Sequence, residues 1–588
     1  MTYLFRIIFI AIILSLGIPA NLPAVGEGDQ QPGAALETPF EFLYAGQGGE
    51  AHYVHVLNIG DEALLARIHL IRSAKESIYI QTYIWTNDET GRYVAYELIK
   101  AARRGVKVKI IGDNWKAANV AGLVSFLSTA HPNLELKTYS PPANLVDPSA
   151  LRVVREALIQ FKTVNQRMHN KIFIVDGKAA ITGGRNYEND YYDRGVTRNF
   201  KDRDVLVVGP VAGEITRSFQ GYWDYALAVD VRDLVDVKKL IKSGRFERFT
   251  DRASYRLGNL FDDVDRLADD LPYIRKVFID DIYKVGRVMF VADKPGKNDR
   301  RGLKGGGEAT ESLAKIMFEA QKSIVAQTPY LVLDEVTTKG VKTLRAKNPG
   351  IDIVISSNSL AATDNIYAYS FSYKQKKLFV QDLKFRIFEF KPVPADITLM
   401  IPRYALVENR GQRTDDNAVD SLSQEKDSNS IENANRHLCV HAKSFVIDDR
   451  IAWIGSFNLD PRSVHLNTEA GLVIWDERVA KAIKDNILRD TAPQNSWTIG
   501  KKKDVPLISQ FSGLIGSVLQ FVPVVDVWPF RYTSSFALKE GQEAVPYYDE
   551  HFYDRYTSVG SFPEVSLSIR EIEIRLLKAF TGVVRPII

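Results

Sequence analysis

The chain has 588 residues, more than one hydrophobic core usually organises, so at least two domains are expected. Hydrophobic residues make up 45% and charged residues 25% of the sequence, which excludes fibrous and wholly disordered proteins. The formal net charge of +4 is small for this length and argues against a protein that binds a polyanion over most of its surface. Cys439 is the single cysteine, which excludes an intramolecular disulfide and argues against a cysteine-based zinc site; we expect it to fill the core.

An apolar segment lies near the N-terminus. Arg6 precedes an almost wholly aliphatic run, residues 7–18, which is followed by a polar, glycine-rich stretch. As a helix this run spans only about 18 Å, less than the roughly 30 Å hydrocarbon core of a bilayer. Residues 1–24 are therefore predicted to be a secretory signal peptide. A retained N-terminal anchor is the alternative, because Ile18 and Leu22 are larger than the residues that a cleavage site prefers at that position.

The sequence contains an internal repeat. Residues 74–82 (AKESIYIQT) are echoed by residues 320–328 (AQKSIVAQT), about 245 residues later. A second pair of segments, 105–110 and 350–355, repeats at a similar distance; both follow an amphipathic helical pattern and are predicted to be buried strands. The repeat predicts two similar lobes.

This duplication divides the chain into lobes and connecting segments. The first lobe is predicted at residues 25–228 and the second at 301–480, joined by a linker region at 229–300. Residues from about 408 to 436 are rich in Asp, Asn and Ser, which predicts a polar loop inserted into the second lobe. In the C-terminal extension, 481–588, three lysines precede a largely apolar run, a combination expected at a lipid interface. A helix packed on the core is the alternative.

Each half also contains one HxKxxxxD motif. The motif residues are His169, Lys171 and Asp176 in the first half and His441, Lys443 and Asp448 in the second. β-Branched and aromatic residues around each motif predict strands, in which alternate side chains share a face, so each histidine and its lysine can meet one substrate group. Small residues and an asparagine follow each motif and permit close approach to a phosphate: Gly183, Gly184 and Asn186 in the first half, and Gly455, Ser456 and Asn458 in the second.

The paired motifs resemble those of the phospholipase D superfamily, whose HxKxxxxD(x)6GSxN motifs meet between two similar lobes. The resemblance covers about residues 60–480 and implies an α/β fold, with two lobes related by a pseudo-twofold axis and each built from a mixed β-sheet flanked by helices. Gly184 departs from the pattern, which often has serine there. Asp176 and Asp448 distinguish the chain from the nucleic-acid-repair branch, whose motifs lack this aspartate.

Within the superfamily the chain is similar to bacterial cardiolipin synthases, particularly the C type. The stretches that carry this similarity are Tyr83-Ile84-Trp85 with Asp88, Asn358-Ser-Leu-Ala-Ala-Thr-Asp364-Asn365 and Asp460-Pro461-Arg462-Ser463, together with those around the motifs. The similarity implies phospholipid substrates, a membrane surface as partner and a location in the bacterial cell envelope, exported or associated with the inner membrane. No cofactor, metal or nucleic acid is expected.

The chemistry implied is displacement at a phosphodiester through a phosphohistidine. By resemblance, His169 is the nucleophile and His441 the general acid and base, although the sequence alone does not order them. The motif lysines and asparagines would stabilise the phosphoryl oxygens, whereas the motif aspartates are expected to be structural. Asp202 and Glu469, found by aligning the strands that follow the motifs, are candidates for orienting the histidines. Cardiolipin synthesis is the leading prediction; a hydrolytic phospholipase D and a secreted nuclease of the superfamily are the alternatives.

Overall fold

The computed structural model describes residues 35–41, 43, 51–116, 120–159, 165–302, 304–408, 437–503 and 532–565. The predicted signal or anchor, the inserted loop from residue 409 onwards and the apolar run of the C-terminal extension lie outside these ranges. Within them, no helix combines the length and the apolar character needed to cross a bilayer.

Two large mixed β-sheets and one two-stranded sheet form the framework. The first sheet has the order β10-β1-β8-β6-β5-β2-β3-β4-β9, the second β11-β18-β17-β16-β12-β13-β14-β19-β20-β21, and the small sheet pairs β7 with β15. The strands are β1 His52–Leu57, β2 Ser77–Thr86, β3 Lys107–Lys116, β4 Leu134–Tyr139, β5 Ile172–Val175, β6 Ala179–Gly183, β7 Arg198–Lys201, β8 Asp204–Val208, β9 Ala228–Asp230, β10 Tyr283–Val285, β11 Val288–Ala292, β12 Ser323–Gln327, β13 Asp352–Asn358, β14 Arg386–Phe390, β15 His437–Val440, β16 Lys443–Ile447, β17 Ile451–Gly455, β18 Ala470–Trp475, β19 Ser496–Lys501, β20 Thr533–Leu538 and β21 Tyr556–Gly560.

Helices cover the sheets and connect their strands. They are α1 Gly60–Ser73, α2 Glu89–Arg103, α3 Val120–Ala130, α4 Ala150–Ile159, α5 Val211–Trp223, α6 Val235–Ser243, α7 Asp262–Leu267, α8 Leu271–Phe278, α9 Lys297–Arg301, α10 Glu308–Met317, α11 Glu335–Lys347, α12 Ile366–Lys377, α13 Ile397–Met400, α14 Pro461–His465, α15 Glu477–Asp490 and α16 Phe552–Arg555. Helices α5 and α15 bury one apolar face at the 3.6-residue period, whereas α1 is buried on all sides from Ala63 to Ser73.

The two sheets repeat one topology. The order β1-β8-β6-β5-β2-β3-β4 in the first sheet matches β11-β18-β17-β16-β12-β13-β14 in the second. In each, the strand that begins in the repeated sequence pairs in parallel with the next strand along the chain, β2 with β3 and β12 with β13. This arrangement confirms the predicted pair of α/β lobes.

A common core joins the lobes. Ile172 and Ile174 of β5 belong to the same buried cluster as Val446 of β16, together with Phe219 from α5 and Ile483 from α15. All residues of β5 and β16 are buried, as expected for central strands that are covered on both faces. Apolar residues of both lobes therefore pack in one core, which holds the lobes together at their junction.

The region 229–300, predicted to be a linker, is built into both lobes. Strand β9 pairs with β4 and β10 with β1 at the two edges of the first sheet, whereas β11 pairs with β18 in the second. The lobes thus extend beyond the boundaries expected from the sequence, and α15 also runs through the expected boundary at residue 480. Strands of three residues, such as β9 and β10, are too short for an alternating pattern to identify them.

Candidate active site

Two histidine–carboxylate pairs lie where the lobes meet, and each pair takes one member from each lobe. His169 Nδ1 is 2.8 Å from Glu469 Oε2, and His441 Nδ1 is 2.6 Å from Asp202 Oδ2. Only 7% of His169 and 6% of His441 is exposed. A carboxylate at Nδ1 holds a proton on that nitrogen and leaves Nε2 of each ring available for chemistry.

Strand pairing across the lobe boundary creates the pair of His441 with Asp202. Strands β7 and β15 run in parallel with Val440 opposite Lys201. The residues that follow the two strands, His441 and Asp202, therefore lie side by side. The register is extended by a hydrogen bond of 2.8 Å from His441 N to Lys201 O. The backbone therefore sets the distance between imidazole and carboxylate.

Parallel backbone pairing also creates the pair of His169 with Glu469. An isolated parallel bridge joins Met168 to Thr468, one residue before His169 and Glu469. His169 N donates to Thr468 O at 3.0 Å. In both halves of the site, which are related by the pseudo-twofold axis, a parallel backbone pairing between the lobes places the histidine beside its carboxylate.

The motif lysines lie against their own histidines. Lys171 Nζ donates to His169 O at 2.8 Å, and Lys443 Nζ donates to His441 O. Lys443 Nζ is also 2.7 Å from His441 Nδ1. That nitrogen carries at most one proton, and the anionic Asp202 is the stronger acceptor for it, so we assign the Lys443 ammonium to the carbonyl oxygen.

Burial shapes the protonation of the site. It lowers the pKa of His169 to about 4, against the opposing effect of Glu469, and the pKa of Lys171 to about 7. The pKa of His441 is also lowered, by burial and by Lys443. Burial opposes ionisation of Asp202 too, but Lys443 and His441 outweigh it and lower its pKa to about 2. In the free protein at neutral pH both imidazoles are therefore neutral beside an ionised carboxylate.

The two carboxylates have different supports. Glu469 accepts hydrogen bonds from Ser456 Oγ at 2.5 Å and Ser463 Oγ at 2.7 Å. In the first lobe the residue matching Ser456 is Gly184, where an added Cβ would lie 2.1 Å from Asp202 Oδ1. Asp202 instead accepts from the backbone N–H of Arg203 at 2.7 Å. The departure at Gly184 therefore makes room for the carboxylate of Asp202.

The motif aspartates bind backbone. Asp176 accepts from the N–H groups of residues 75–77 at 2.8 to 3.0 Å, and Asp448 accepts from those of residues 321–323 at 2.7 to 2.8 Å. Both aspartates adopt positive φ angles, 51° and 50°, in the turn that ends each motif strand. Each therefore ties this turn to the start of the neighbouring strand, β2 or β12.

The remaining predicted residues line the same region. Asn186 accepts from Ile84 N at 3.0 Å and donates to Tyr191 OH at 2.9 Å, and this hydroxyl is 3.5 Å from His441 Nε2. Asn458 Oδ1 is buried, and no donor among the described residues reaches it. Gly183 and Gly455 end strands β6 and β17, where a Cβ would collide with residue 204 or residue 453 respectively.

Two residues at matching places in the repeat hold the backbone before each histidine. Asp113 at β3 accepts from Met168 N at 2.7 Å. Asn358 at the end of β13 accepts from Val440 N at 2.8 Å and donates to Val440 O at 2.8 Å. Asn358 lies in one of the stretches that carry the similarity to cardiolipin synthases but had no predicted role, and Asp113 was not predicted, although the repeat offset connects the two positions.

A buried ion pair from the predicted linker region supports Glu469. Lys297 Nζ is 3.0 Å from Asp293 Oδ2 and donates to the carbonyl oxygens of Ser463 and Asn467 at 2.8 Å. Asp293 in turn accepts from Glu469 N at 3.1 Å. Sequence reasoning missed this pair, because an Asp and a Lys four residues apart are common on exposed surfaces.

Among the described residues, no group of three or more His, Cys, Asp or Glu side chains is arranged to hold a metal ion. The site presents two imidazoles, two lysine side chains and two carboxylates. Such a set can displace a leaving group at an anionic phosphodiester, with one ring attacking, the other transferring protons and the lysines balancing charge.

Comparison with known proteins identifies the family. The model described as "Cardiolipin synthase, PLD-like domain" matches residues 67–223 and 313–491, more than half of the chain. An uncharacterized protein of Helicobacter pylori (strain ATCC 700392 / 26695) is 30% identical over 478 residues, 78% of this chain and 84% of its own. Cardiolipin synthase C of Escherichia coli (strain K12) is 28% identical over 433 residues, 73% of this chain and 82% of its own.

Among solved structures, that of phosphatidylserine synthase from Haemophilus influenzae Rd KW20 covers 76% of this chain and 87% of its own, with a TM-score of 0.47 and 16% identity. The residues matched by the family model include both motifs and both histidine–carboxylate pairs. The chain belongs to the cardiolipin synthase, PLD-like domain family of the phospholipase D superfamily.

Proposed function

We propose that the protein is a phosphatidyltransferase that makes cardiolipin from phosphatidylglycerol and a second phospholipid through a phosphohistidine. The crossed pairs of His169 with Glu469 and His441 with Asp202 carry this proposal. Two imidazoles that are oriented through Nδ1, and whose Nε2 atoms point away from the paired carboxylates, suit a double displacement, in which one ring holds the phosphatidyl group while the other handles the proton.

In the first step, His169 Nε2 attacks phosphorus and the bond from phosphorus to the leaving oxygen breaks. The lowered pKa of His169 keeps its lone pair available at neutral pH. Glu469 stabilises the positive charge that develops on the ring, and Lys171 and Lys443 balance the phosphoryl oxygens. Protonated His441 gives its proton to the leaving oxygen. An anionic phosphodiester beside His441 favours this protonated form, because it offsets the burial and the Lys443 charge that lower its pKa.

In the second step, the acceptor hydroxyl attacks the phosphohistidine. A new bond forms between phosphorus and oxygen, the bond to His169 Nε2 breaks, and His441 takes the hydroxyl proton. Both histidines return to their starting states. Cardiolipin results when the acceptor is the headgroup hydroxyl of phosphatidylglycerol, and phosphatidate results when it is water. The same catalytic residues serve both acceptors, so the acceptor has to be identified from the lipid products.

The test uses the full-length protein with vesicles of phosphatidylglycerol and phosphatidylethanolamine, and identifies the lipid products by mass spectrometry. Cardiolipin should form with the wild type and be absent with H169A or H441A. The matched control is H551A, since the exposed ring of His551 pairs with the exposed acids Glu550 and Asp554. Phosphatidate as the single product would instead establish a hydrolytic phospholipase D. DNA cleavage that H169A abolishes would favour the nuclease alternative.

We further propose that the protein acts at the membrane of the bacterial cell envelope. Support comes from the aliphatic segment before residue 24 and from Lys501-Lys502-Lys503, which precedes an apolar run. Sequencing the N-terminus of the protein isolated from cell envelopes tests the signal peptide. A start after residue 20 indicates cleavage, whereas an intact N-terminus indicates a retained anchor.

A further inference from the structure

Asp364 lies beside the second motif, and the chemistry described above does not use it. It follows β13, in the loop that leads into α12. Strands β12 and β13 are parallel, and ligands of α/β sheets bind beyond the carboxyl ends of parallel strands. Asp364 is half-buried, so it remains accessible to a bound molecule. Its place in the fold is that of a ligand-binding residue.

Two neighbours hold the carboxylate next to the site. Tyr330 OH donates to Asp364 Oδ2 at 2.8 Å, and Cys439 Sγ lies 3.7 Å from Oδ1. Cys439 is two residues before His441 on the same backbone, and the charge of Asp364 acts on His441 and Lys443. The carboxylate is therefore oriented by Tyr330 on the side of the site that contains the general acid and base.

The charge of Asp364 defines what it can bind. An ionised carboxylate repels the phosphoryl oxygens that Lys171 and Lys443 attract, so a role as phosphate ligand is excluded. A carboxylate offers about four lone-pair positions, and the contacts with Tyr330 and Cys439 use two of them. The remaining positions can accept hydrogen bonds from hydroxyl groups. A molecule with more than one hydroxyl can bind Asp364 through one and react through another.

We propose that Asp364, oriented by Tyr330, binds the polyol headgroup of the acceptor. This inference rests on the proposed function and names the acceptor's chemical class: a glycerol-type headgroup with at least two hydroxyls. One hydroxyl donates to Asp364, and the other gives its proton to His441 Nε2 as its oxygen bonds to phosphorus and the bond to His169 Nε2 breaks. A single-hydroxyl alcohol or water gains nothing from the carboxylate, so Asp364 favours transfer to polyols.

A competition assay tests this directly. The wild type, D364N and D382N each receive one donor lipid, phosphatidylethanolamine in vesicles, with equal concentrations of glycerol and ethanol in the same reaction. The products, phosphatidylglycerol and phosphatidylethanol, are quantified together, so any loss of folded protein affects both equally and leaves their ratio unchanged. D382N is the matched control, because Asp382 is an exposed acid of the same lobe.

The ratio of phosphatidylglycerol to phosphatidylethanol should fall about tenfold or more in D364N, the size expected for a lost hydrogen bond to a charged group. Y330F should lower the ratio less, because the carboxylate remains. In D382N the ratio should equal that of the wild type. A wild-type ratio in D364N, or an equal fall in D382N, overturns the proposal. Absence of both products with the wild type would instead contradict the proposed transferase function.

Discussion

His169 of the first lobe donates its Nδ1 proton to Glu469 of the second across 2.8 Å. His441 and Asp202 are paired in the opposite sense, also across the lobe boundary. Neither lobe alone therefore contains a histidine with its carboxylate. The duplicated lobes form one site because each supplies the orienting group that the other needs.

Replacing Glu469 by Gln should lower kcat by about 10²-fold with little change in KM. The amide keeps the shape but cannot stabilise the positive charge that develops on His169 during attack. Initial rates of E469Q on vesicle substrates check this. The control is E477Q, since Glu477 is exposed at the start of α15. An activity of E469Q equal to that of E477Q would contradict the role assigned to the carboxylate.

Which histidine is the nucleophile and which is the general acid can be tested with a donor that needs no general acid. A p-nitrophenyl phosphatidyl ester has a good leaving group, so H441A should still form the phosphohistidine but release it slowly. Radiolabel from the lipid phosphorus should therefore accumulate on H441A in an alkaline quench and be absent from H169A. Label on H169A with none on H441A would assign the nucleophile to His441.

The rate should depend on pH through Lys171. Because burial lowers its pKa to about 7, the free enzyme loses this ammonium as the pH rises through that value. The fall of kcat/KM with pH should therefore steepen above about pH 7, whereas His169, with a pKa of about 4, stays neutral throughout. In K171R the guanidinium remains charged, so the steepening should disappear. Identical profiles for the wild type and K171R would exclude Lys171 as the source.

Asp448 should matter for stability. Replacing it by Ala removes the three hydrogen bonds that the carboxylate accepts from backbone N–H groups, and leaves an alanine at a φ of 50°. The free energy of unfolding should therefore fall by about 3 kcal/mol. D448N should lie between the wild type and D448A. Denaturant unfolding gives the values. The control is D449A: Asp449 also has a positive φ, 58°, but its exposed carboxylate pairs with the side chain of Lys484 and not with backbone N–H groups.

The pH dependence of this contribution follows from its pKa. Burial raises the pKa of Asp448, but the three N–H donors outweigh it and lower the value below 3.8. The stabilisation is therefore complete above pH 3.8 and is lost as the pH falls through the lower, folded-state pKa. The stability difference between the wild type and D448A should narrow on acidification below pH 3.8. A difference that stays constant down to complete acid unfolding would contradict this assignment.

Lys297 should stabilise the loop that carries Glu469. K297M leaves Asp293 buried without its partner, which typically costs about 3–5 kcal/mol. Because Asp293 also holds Glu469 N, kcat should fall more than KM rises. K294M is the control, since Lys294 lies in the same segment but pairs with Glu308 at the surface. Adding D293N to K297M should recover part of the stability; no recovery would argue against charge as the cause.

Much of this site was predictable from local patterns. The repeated spacing of His169 and Lys171 with His441 and Lys443 pointed to four side chains that the structure brings together between the lobes, a set of groups suited to displacement at a phosphodiester. Aligning the two halves also pointed to Asp202 and Glu469. By contrast, Asp293 and Lys297 gave no usable signal, because an Asp and a Lys four residues apart are common on exposed surfaces, and the backbone groups that they hold are more than 160 residues away in sequence.

The sequence by itself determined the duplication, the paired motifs and the family. The tertiary structure decided which carboxylate serves which histidine, that the region at 229–300 completes both sheets, and that Asp364 contacts Cys439, two residues before His441. Pairing of Lys201 with Val440 and of Met168 with Thr468 joins segments hundreds of residues apart. Its register depends on how two folded lobes pack, a property of the whole core that local side-chain patterns do not encode.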